Sequence, residues 1–336
     1  MRFVSLPELP DTPPFSITRF SHVVLNVGDL QASRNFYESL IGLVVSEEEE
    51  EERIYLRGVE ETAHHSLVLE RGSARASAQR LGFRVATEGD LEAAQRYFEK
   101  RGLPQEWAET PHGTRTLRVS DVAGVPLEFY VSMSVMPRLI LDEDLHLGAA
   151  AARIDHLQVL VPDIPRWVAF HVGLGFRISE YATPSGTPES PLVAAFLARK
   201  GDMLDLVGVT GLGPRLHHFA YVVHNHRETL SRVCDLASAM GRRDAVEYGP
   251  ARHGLAPQHF VYLRDPDGHR VELVNHGYQL LDPEVEPVGW SIGDPRAVTT
   301  YGPMPGRGWM EGASEFVGVT PSLPPASLAD LLREQT

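Results

Sequence analysis

Two stretches of the sequence decide the fold: FSHVVLNVGDLQASRNFYESLIGLVVSE (20–47) and IDHLQVLVPDIPRWVAFHVGLGFRISE (154–180). In both, a His lies near the start of an alternating apolar strand, an Asp turn follows, and a helical stretch leads to a Gly before a second strand. His22 aligns with His156 in this comparison. Because the register holds along both stretches, the chain is predicted to contain an internal repeat.

A second level of repetition lies inside each copy. RLGFRVATEGDLEAAQRYFEKRG (80–102) is similar to RLHHFAYVVHNHRETLSRVCDLASAMG (215–241), and each reads as a strand followed by an amphipathic helix that ends at Gly,. Turn residues and a strand that runs to a carboxylate follow in both, at 120–131 and 264–275,. The pattern predicts an α+β fold of βαβββ modules, four in all, with two modules to a domain and each domain forming an open β-barrel cup with its helices outside.

The repeat also predicts where the domains begin and end. The expected parts are an N-terminal arm (1–15), a first domain without a metal (16–134), a linker (135–152), a catalytic metal-binding domain (153–281) and a C-terminal extension that could act as a lid (282–336). The acidic run at 47–52 is interpreted as a solvated turn or strand end rather than as an acidic metal site,.

The composition indicates an ordinary globular enzyme, with 43% hydrophobic and 23% charged residues among 336,. The net charge is −14 and Lys and Arg do not cluster, which argues against a nucleic-acid partner,. No apolar run reaches the roughly 18–20 residues that span a bilayer, so no membrane partner is expected. The single Cys favours a reducing, cytoplasmic location,. Fifteen His residues prompt a search for a metal site.

Three residues of the second copy form the predicted metal site. His156 and His218 each lie near the start of a strand that begins a module, and Glu272 lies on the last strand. Side chains alternate faces along a strand, so sheets that fold toward each other can direct all three into one cavity. The repeat selects His218 rather than His217 as the inward residue. Two imidazoles and one carboxylate bind one face of an octahedral ion and leave three positions open, as in Fe(II) oxygenases.

The first copy serves as an internal control for this prediction. His22 aligns with His156 and Glu128 aligns with Glu272, but Gly82 stands where His218 would be. One ligand of the three is missing, so the first domain is expected to be metal-free and to have a structural role.

At these residues the sequence resembles the type I extradiol catechol dioxygenases of the vicinal oxygen chelate superfamily, which also contains glyoxalase I and bleomycin-resistance proteins. The resemblance is strongest to the homoprotocatechuate 2,3-dioxygenase branch, over about 153–290, and rests on IDHLQ, GPRLHHFAY, GPARHG and VYLRDPDGHRVEL. It implies an Fe(II) ion, or Mn(II), that takes up a catechol and O2. The expected reaction cleaves the ring beside the diol and gives a product of the hydroxymuconic-semialdehyde type.

The resemblance also implies roles for residues around the metal. His253 and Tyr262 match the family residues that hydrogen-bond the substrate and hold its hydroxyl proton, and they are the expected catalytic pair. The acid–base His that family members carry fourteen residues before the second His ligand is replaced by Leu204. A leucine cannot donate a proton or a hydrogen bond, so water or His253 would have to take over, or the site would run slowly or do other chemistry.

Leu204 and three more positions are expected to contact the substrate. Gln158 stands where the family has Asn, and Tyr248 stands where the family has an Arg that binds a substrate carboxylate. A paired Arg in the C-terminal segment is reduced to Arg296 followed by Ala297. The loss of these cations favours an uncharged or bulkier catechol.

Two other functions remain open at this point. One is a metal-dependent isomerase or lyase of the glyoxalase type, which would share the cup but needs a catalytic base on an open metal position. The other is a binding protein for a small aromatic molecule or antibiotic whose catalytic groups have decayed, which Leu204 favours. The resemblance further implies a homo-oligomer.

Overall fold

The computed structural model describes residues 6–72, 76–113, 115–306 and 308–325. The ends of the predicted N-terminal arm and C-terminal extension lie outside these ranges. The elements of the N-terminal half are the following: β1 (Ile17–Val27), α1 (Leu30–Phe36), β2 (Val44–Glu49), β3 (Arg53–Arg57), β4 (Leu67–Arg71), β5 (Ser77–Val85), α2 (Glu88–Lys100), β6 (Gln105–Ala108), β7 (Thr116–Ser120) and β8 (Pro126–Tyr130). A π-helical turn at Tyr37–Ile41 continues α1.

The C-terminal half repeats this order and adds three elements. They are β9 (Arg153–Val161), α3 (Ile164–Gly173), β10 (Arg177–Thr183), β11 (Ala194–Ala198), β12 (Leu206–Thr210), β13 (Arg215–Val222), α4 (His226–Ala239), β14 (Val246–Arg252), β15 (His259–Arg264), β16 (Arg270–Val274), β17 (Val288–Ser291), α5 (Pro295–Val298) and β18 (Ser314–Phe316). Short 3-10 turns lie at Glu143–Leu145 and Arg243–Ala245.

Strand pairing follows one scheme in both halves. In the first, β1 runs parallel to β4 and antiparallel to β5, and β5 runs parallel to β8. In the second, β9 stands in the same relation to β12 and β13, and β13 runs parallel to β16. The remaining strands of each module pair antiparallel with their neighbours. The predicted α+β fold of four βαβββ modules is therefore confirmed, with each half a curved sheet that is not closed.

The helices begin and end where the repeat places its Asp and Gly residues. The carboxylate of Asp29 accepts backbone hydrogens at the start of α1, and that of Asp163 does the same for α3,. Gly42 and Gly175 follow the helices with φ of +80° and +92°, a left-handed conformation that other residues adopt at a cost,. These local signals fix the turn from each first strand into its second.

One apolar core runs through both halves. Phe83 of the first half packs edge-on against Phe176 of the second, with ring centroids 6.0 Å apart, and Phe129 packs on the other side of Phe83. Each of these rings is almost fully buried. Since burial of such rings is the main source of folding free energy, the two halves are stabilised by a shared interior.

Two buried carboxylates join the halves in a reciprocal way. Tyr37 of the first half donates its hydroxyl hydrogen to Asp265, in the turn before β16, at 3.0 Å. Trp167 of the second half donates its indole hydrogen to Asp121, in the turn before β8, at 2.9 Å. Asp121 and Asp265 occupy equivalent turns, and both are buried. We call these two hydrogen bonds the reciprocal clasp.

The C-terminal segment folds back over the second half. Its strand β17 pairs with β10, and β18 pairs with both β13 and β5, so the segment also touches the first half. This course brings Trp290 and Trp309 toward the cup of the second half. Whether the segment opens as a lid remains a prediction. No described helix combines the length and the apolar character needed to cross a bilayer.

Candidate metal centre in the C-terminal half

Three neighbouring strands position the predicted ligands. His156 lies on β9, His218 on β13 and Glu272 on β16, and β13 runs between the other two strands. All three residues are buried, with 4%, 2% and 1% of their surface exposed. Polar side chains so deep in a protein need partners, because desolvation without compensation costs free energy. The structure therefore brings all three sequence-predicted ligands together.

The donor atoms of these residues form a compact triangle. Nε2 of His156 lies 3.1 Å from Oε2 of Glu272, Nε2 of His218 lies 3.3 Å from the same oxygen, and the two nitrogens are 3.4 Å apart. The imidazole rings stand at 83° to each other. Ligands at right angles around an ion, with bonds of about 2.1–2.2 Å, are separated by roughly 3.0–3.1 Å. Two nitrogens and one carboxylate oxygen at this spacing fit one face of an octahedral divalent ion.

The charges within the triangle agree with this fit. Burial alone would raise the pKa of Glu272, but hydrogen bonding with His156 and His218 holds it well below the usual range, so the carboxylate is ionised,. Burial lowers the pKa of His218 to about 4, which keeps this imidazole neutral. For His156, the two flanking carboxylates overcome the burial effect and raise the pKa to about 9. The ionised Glu272 attracts a cation, and a divalent ion would displace the proton that this pKa leaves on His156,.

A buried carboxylate orients His156. Nδ1 of His156 donates to Oδ2 of Asp155 at 2.9 Å, so Nε2 is the nitrogen left to bind an ion,. Asp155 is held by Lys200, whose ammonium nitrogen lies 3.4 Å from the other carboxylate oxygen. Burial would raise the pKa of Asp155, but Lys200 and His156 hold it below its ordinary value, so the carboxylate remains charged. Sequence reasoning missed this role of Asp155, although an acidic residue on a buried strand beside a ligand is a usable signal.

His218 is oriented by its neighbour in the chain. Its Nδ1 lies 2.8 Å from Nδ1 of His217, and Nε2 of His217 lies 3.2 Å from the backbone oxygen of Trp309. Since a carbonyl only accepts, His217 donates from Nε2 and accepts on Nδ1, and His218 donates from Nδ1. Nε2 of His218 is then free for an ion. The His217–Trp309 contact had no signal in the sequence.

The predicted catalytic pair lies beside the triangle. Nε2 of His253 is 3.0 Å from the hydroxyl of Tyr262 and 3.7 Å from Oε1 of Glu272. Nδ1 of His253 donates to the backbone oxygen of Val298 at 2.5 Å, so Nε2 accepts the hydrogen of Tyr262,. Burial raises the pKa of Tyr262 well above its ordinary value, with the charge of Glu272 adding to the effect. The pair is thus preorganised next to the proposed ion.

The four predicted substrate positions differ in where they lie. Gln158 is buried on β9, on the same face as His156, and its Nε2 has no hydrogen-bond partner among the described residues. Tyr248 stacks parallel to Tyr262, and its hydroxyl forms a short hydrogen bond with Thr299. These two positions adjoin the triangle.

Leu204 and Arg296 complete this set. Leu204 is buried in an apolar cluster with Met203, Val207 and Ala256, and β12 places Val207 opposite Gln158. The wall beside Leu204 is therefore apolar. Arg296 instead points to solvent, with 76% of its side chain exposed and its guanidinium on Asp294. The structure does not bring that guanidinium to the triangle.

The equivalent positions in the first half hold a different arrangement. Nε2 of His22 lies 3.1 Å from Glu128, and Arg80 and Arg118 also pair with that carboxylate. A side chain at Gly82 would place its Cβ 2.0 Å from the His22 ring, so the ring fills the space of the missing ligand. Two guanidinium groups supply positive charge at this position. A separate group that could hold a metal is found at Glu47, His64 and His112.

Comparisons with known proteins agree with the fold. The sequence model of the Glyoxalase/Bleomycin resistance protein/Dioxygenase superfamily matches residues 19–129 and 153–273. The manganese-dependent 2,3-dihydroxybiphenyl 1,2-dioxygenase of Geobacillus genomosp. 3 is 28% identical over 295 residues, which cover 82% of this chain and 90% of that one. The metapyrocatechase of Pseudomonas sp. (strain CF600) is 26% identical over 292 residues, which cover 83% of this chain and 92% of that one.

Solved structures resemble the chain over nearly all of its length. Homoprotocatechuate 2,3-dioxygenase from Arthrobacter globiformis superposes with a TM-score of 0.87 at 33% identity, covering 95% of this chain and 99% of that one. The enzyme of the same name from Brevibacterium fuscum, in complex with 3,4-dihydroxyphenylacetate, superposes with a TM-score of 0.87 at 34% sequence identity. The match covers 94% of this chain and 98% of that one. The chain therefore belongs to the glyoxalase/bleomycin resistance protein/dioxygenase superfamily and, within it, to the extradiol dioxygenases.

Proposed function

We propose that this protein is an extradiol dioxygenase that adds both atoms of O2 to a catechol and opens the ring beside the diol. The product would be of the hydroxymuconic-semialdehyde type, which contains all atoms of the catechol and of O2. The observation that carries the proposal is the triangle of His156, His218 and Glu272, with donor atoms 3.1–3.4 Å apart. Such a triangle leaves one face of an ion for two reactants.

The ion proposed for this site is Fe(II) or Mn(II). Both accept two imidazoles and a carboxylate, and one relative is named a manganese-dependent enzyme,. When bound, the ion would hold the catechol oxygens and O2 at one centre and let electrons pass from the catecholate to O2. Asp155 and His217 would direct Nε2 of both His ligands toward the ion, and the ion would displace the proton from Nε2 of His156,.

The chain's own proton chemistry is assigned to His253 and Tyr262. The bare Nε2 of His253 is a base within hydrogen-bond distance of Tyr262, so the pair can take and hold the proton that a catechol hydroxyl loses,. Leu204 offers no proton donor on its side of the site. The unpartnered Nε2 of Gln158 is the remaining buried donor of this strand face, and we assign it to hydrogen bonding with a bound reactant.

The proposed substrate class is an uncharged catechol. Tyr248 carries no charge at neutral pH and its hydroxyl is engaged by Thr299, while Arg296 is directed to solvent. A substrate carboxylate would then be desolvated without a cation to pair with, which costs free energy. The wall at Leu204 and Val207 favours apolar ring substituents instead,.

The experiment is a metal-reconstituted assay. Apoprotein is loaded with Fe(II) or Mn(II) without air and then given a panel of neutral and carboxylated catechols with O2. We expect one O2 consumed per catechol, a yellow product, and faster turnover of neutral catechols. His218→Ala and Glu272→Ala should abolish uptake, while Glu50→Ala, on the acidic run, should not. No uptake by either metal form across the panel would contradict the proposal.

A second function is favoured by one observation, the apolar residue at Leu204. Without a donor on that side, the cup could serve to bind a small aromatic molecule without turning it over. The same assay separates the two functions. A pure binder would show catechol binding by calorimetry, no O2 uptake, and binding that survives Glu272→Ala. The homo-oligomer and the cytoplasmic location remain predictions.

A further inference from the structure

A second group of metal-binding side chains lies in the first half, away from the triangle. Glu47 comes from β2, His64 from the segment before β4, and His112 from the turn between β6 and β7. Nε2 of His64 lies 3.5 Å from Oε2 of Glu47, and Nδ1 of His112 lies 3.6 Å from the same oxygen. The three donor atoms all lie within 4.8 Å of one another. Three distant segments of chain thus bring two imidazoles and a carboxylate to one point.

The carboxylate of Glu47 has different ion-pair partners from those of its neighbours in the acidic run. Glu48 pairs with Arg34, and Glu49 pairs with Arg53. The ion pairs of Glu47 within the described ranges are both to imidazoles. An imidazole balances a carboxylate only when it is protonated, so among the described residues Glu47 has no ion-pair partner with a permanent positive charge,. A bound divalent ion would supply one.

The imidazole of His64 is prepared to be a ligand. Its Nδ1 lies 3.1 Å from Nδ1 of His65, which leaves Nε2 directed at Glu47. A ligating His typically uses its second nitrogen in such a hydrogen bond. His64 is also almost fully buried, with 4% of its side chain exposed.

The group adjoins a cavity of about 290 Å³ in the first half. His112, His22, His65 and Tyr55 line it together with several charged residues. Nε2 of His112 and Nδ1 of His22 are buried and have no hydrogen-bond partner among the described residues. Buried polar atoms without partners are rare in native proteins. The cavity therefore has unused hydrogen-bonding capacity beside His112.

We propose that Glu47, His64 and His112 form a second divalent-metal site, suited to Zn(II), at the wall of this cavity. Tetrahedral ligands with bonds of about 2.0–2.1 Å are separated by roughly 3.3–3.4 Å. The observed separations of 3.5 and 3.6 Å are close to this value and longer than those of the triangle. The fourth position is left for water or a ligand from the cavity.

Metal binding requires one local movement. The rings of His64 and His112 are stacked with centroids 3.9 Å apart and an interplanar angle of 7°, so their lone pairs lie in nearly parallel planes. The His112 ring has to tilt out of the stack for both lone pairs to meet one ion. His112 lies in a turn rather than in a strand and lines the cavity, which gives the ring space to tilt into. The site does not depend on the proposed dioxygenase function.

The test counts metal ions in apoprotein titrated with Zn(II) by calorimetry and by elemental analysis after desalting. We expect two Zn(II) per wild-type chain, one in Glu47→Ala, one in His112→Ala and one in His218→Ala. Glu50→Ala is the matched control, because it removes a carboxylate from the same acidic run outside the group, and it should still bind two. Circular dichroism checks that each variant folds.

Co(II) substitution gives a second readout, which reports the coordination geometry of the bound ion rather than only the number of ions. A near-tetrahedral Co(II) ion absorbs visible light far more strongly than an octahedral one. We expect wild type and His218→Ala to show the strong band and Glu47→Ala to lose it while retaining the ion of the triangle. One ion per wild-type chain would overturn the proposal, as would a second ion that survives Glu47→Ala. In that last case another pair, such as His226 and His259, would be the binder.

Discussion

Replacement of Asp155 by Asn tests how the triangle is held together. The carboxylate of Asp155 accepts from Nδ1 of His156 at 2.9 Å, and 5% of its side chain is exposed. Asn is nearly the same size and can still accept this hydrogen bond through its amide oxygen, but it carries no charge. The variant therefore removes the charge behind the His156 ligand and leaves its shape unchanged.

The expected magnitude follows from what the charge does. A charge-assisted hydrogen bond is about twice as strong as a neutral one, and a buried carboxylate behind a ligating His makes that His a better donor to the metal. Loss of such an outer partner weakens metal binding by roughly 10–100-fold, or about 1.4–2.7 kcal/mol. Lys200 also loses its nearer anion and keeps Asp205 at 3.7 Å, so a fall in folding stability is expected as well.

The assay is a titration of apoprotein with Fe(II) or Mn(II) in competition with a chelator, without air. Asp202→Asn is the matched control. Asp202 pairs with Arg153 at 3.3 Å on the same side of the cup but has no contact with a proposed ligand. The metal affinity of Asp202→Asn should stay within about twofold of that of wild type. If Asp155→Asn binds metal as tightly as the wild type, the carboxylate does not support His156 and the reasoning is refuted.

Three other substitutions test separate parts of the structure. Leu204→His should raise the kcat of O2 uptake at least tenfold in metal-loaded enzyme, because a positioned acid–base group contributes about 10²–10⁴-fold; an unchanged rate in folded, loaded protein would count against the assigned position. His217→Leu removes the acceptor for Nδ1 of His218 and should weaken metal binding roughly 10–100-fold by chelator competition, and unchanged affinity would contradict the tautomer assignment,. His171→Phe should flatten the fall in stability on acidification. Burial lowers the pKa of His171 to about 4, so between about pH 6.5 and 4 the unfolded chain binds more protons and wild-type stability drops by up to roughly 3 kcal/mol as pH falls,. Denaturant unfolding of both proteins between about pH 6.5 and 4 measures this pH dependence of folding stability. If stability falls equally steeply with pH in wild type and His171→Phe, the prediction is refuted.

The order of the modules and the triangle could be predicted because both depend on local patterns. Alternation, the capping residues Asp29 and Asp163, and the spacing between copies are all visible in the sequence. Strand positions were less exact. The first strand begins at Ile17, so His22 lies in its middle rather than near its start, and the edge strand β6 gives no apolar alternation because its residues are exposed or half-exposed.

The surroundings of the triangle could not be predicted in the same way. His217 and His218 are both buried, and only the contact with Trp309, ninety-two positions away in the chain, shows that His217 serves as a partner rather than as a ligand. The C-terminal segment that carries Trp309 has no helical or strand period to place it. Glu47 was interpreted as part of a solvated run, and its proximity to His64 and His112 depends on the way three segments meet.

The reciprocal clasp has a consequence for the history of this chain. Each half provides the buried acceptor for a tyrosine or tryptophan of the other. Loss of either half would therefore leave one carboxylate and one aromatic donor of the remaining half without their hydrogen-bond partners,. After an ancestral duplication, loss of the aligned ligand at Gly82 would have cost only a metal, whereas loss of the half itself would have cost the fold. The clasp thus accounts for the retention of a copy that lacks the triangle, and an isolated fragment of residues 153–325 is not expected to persist as a stable unit.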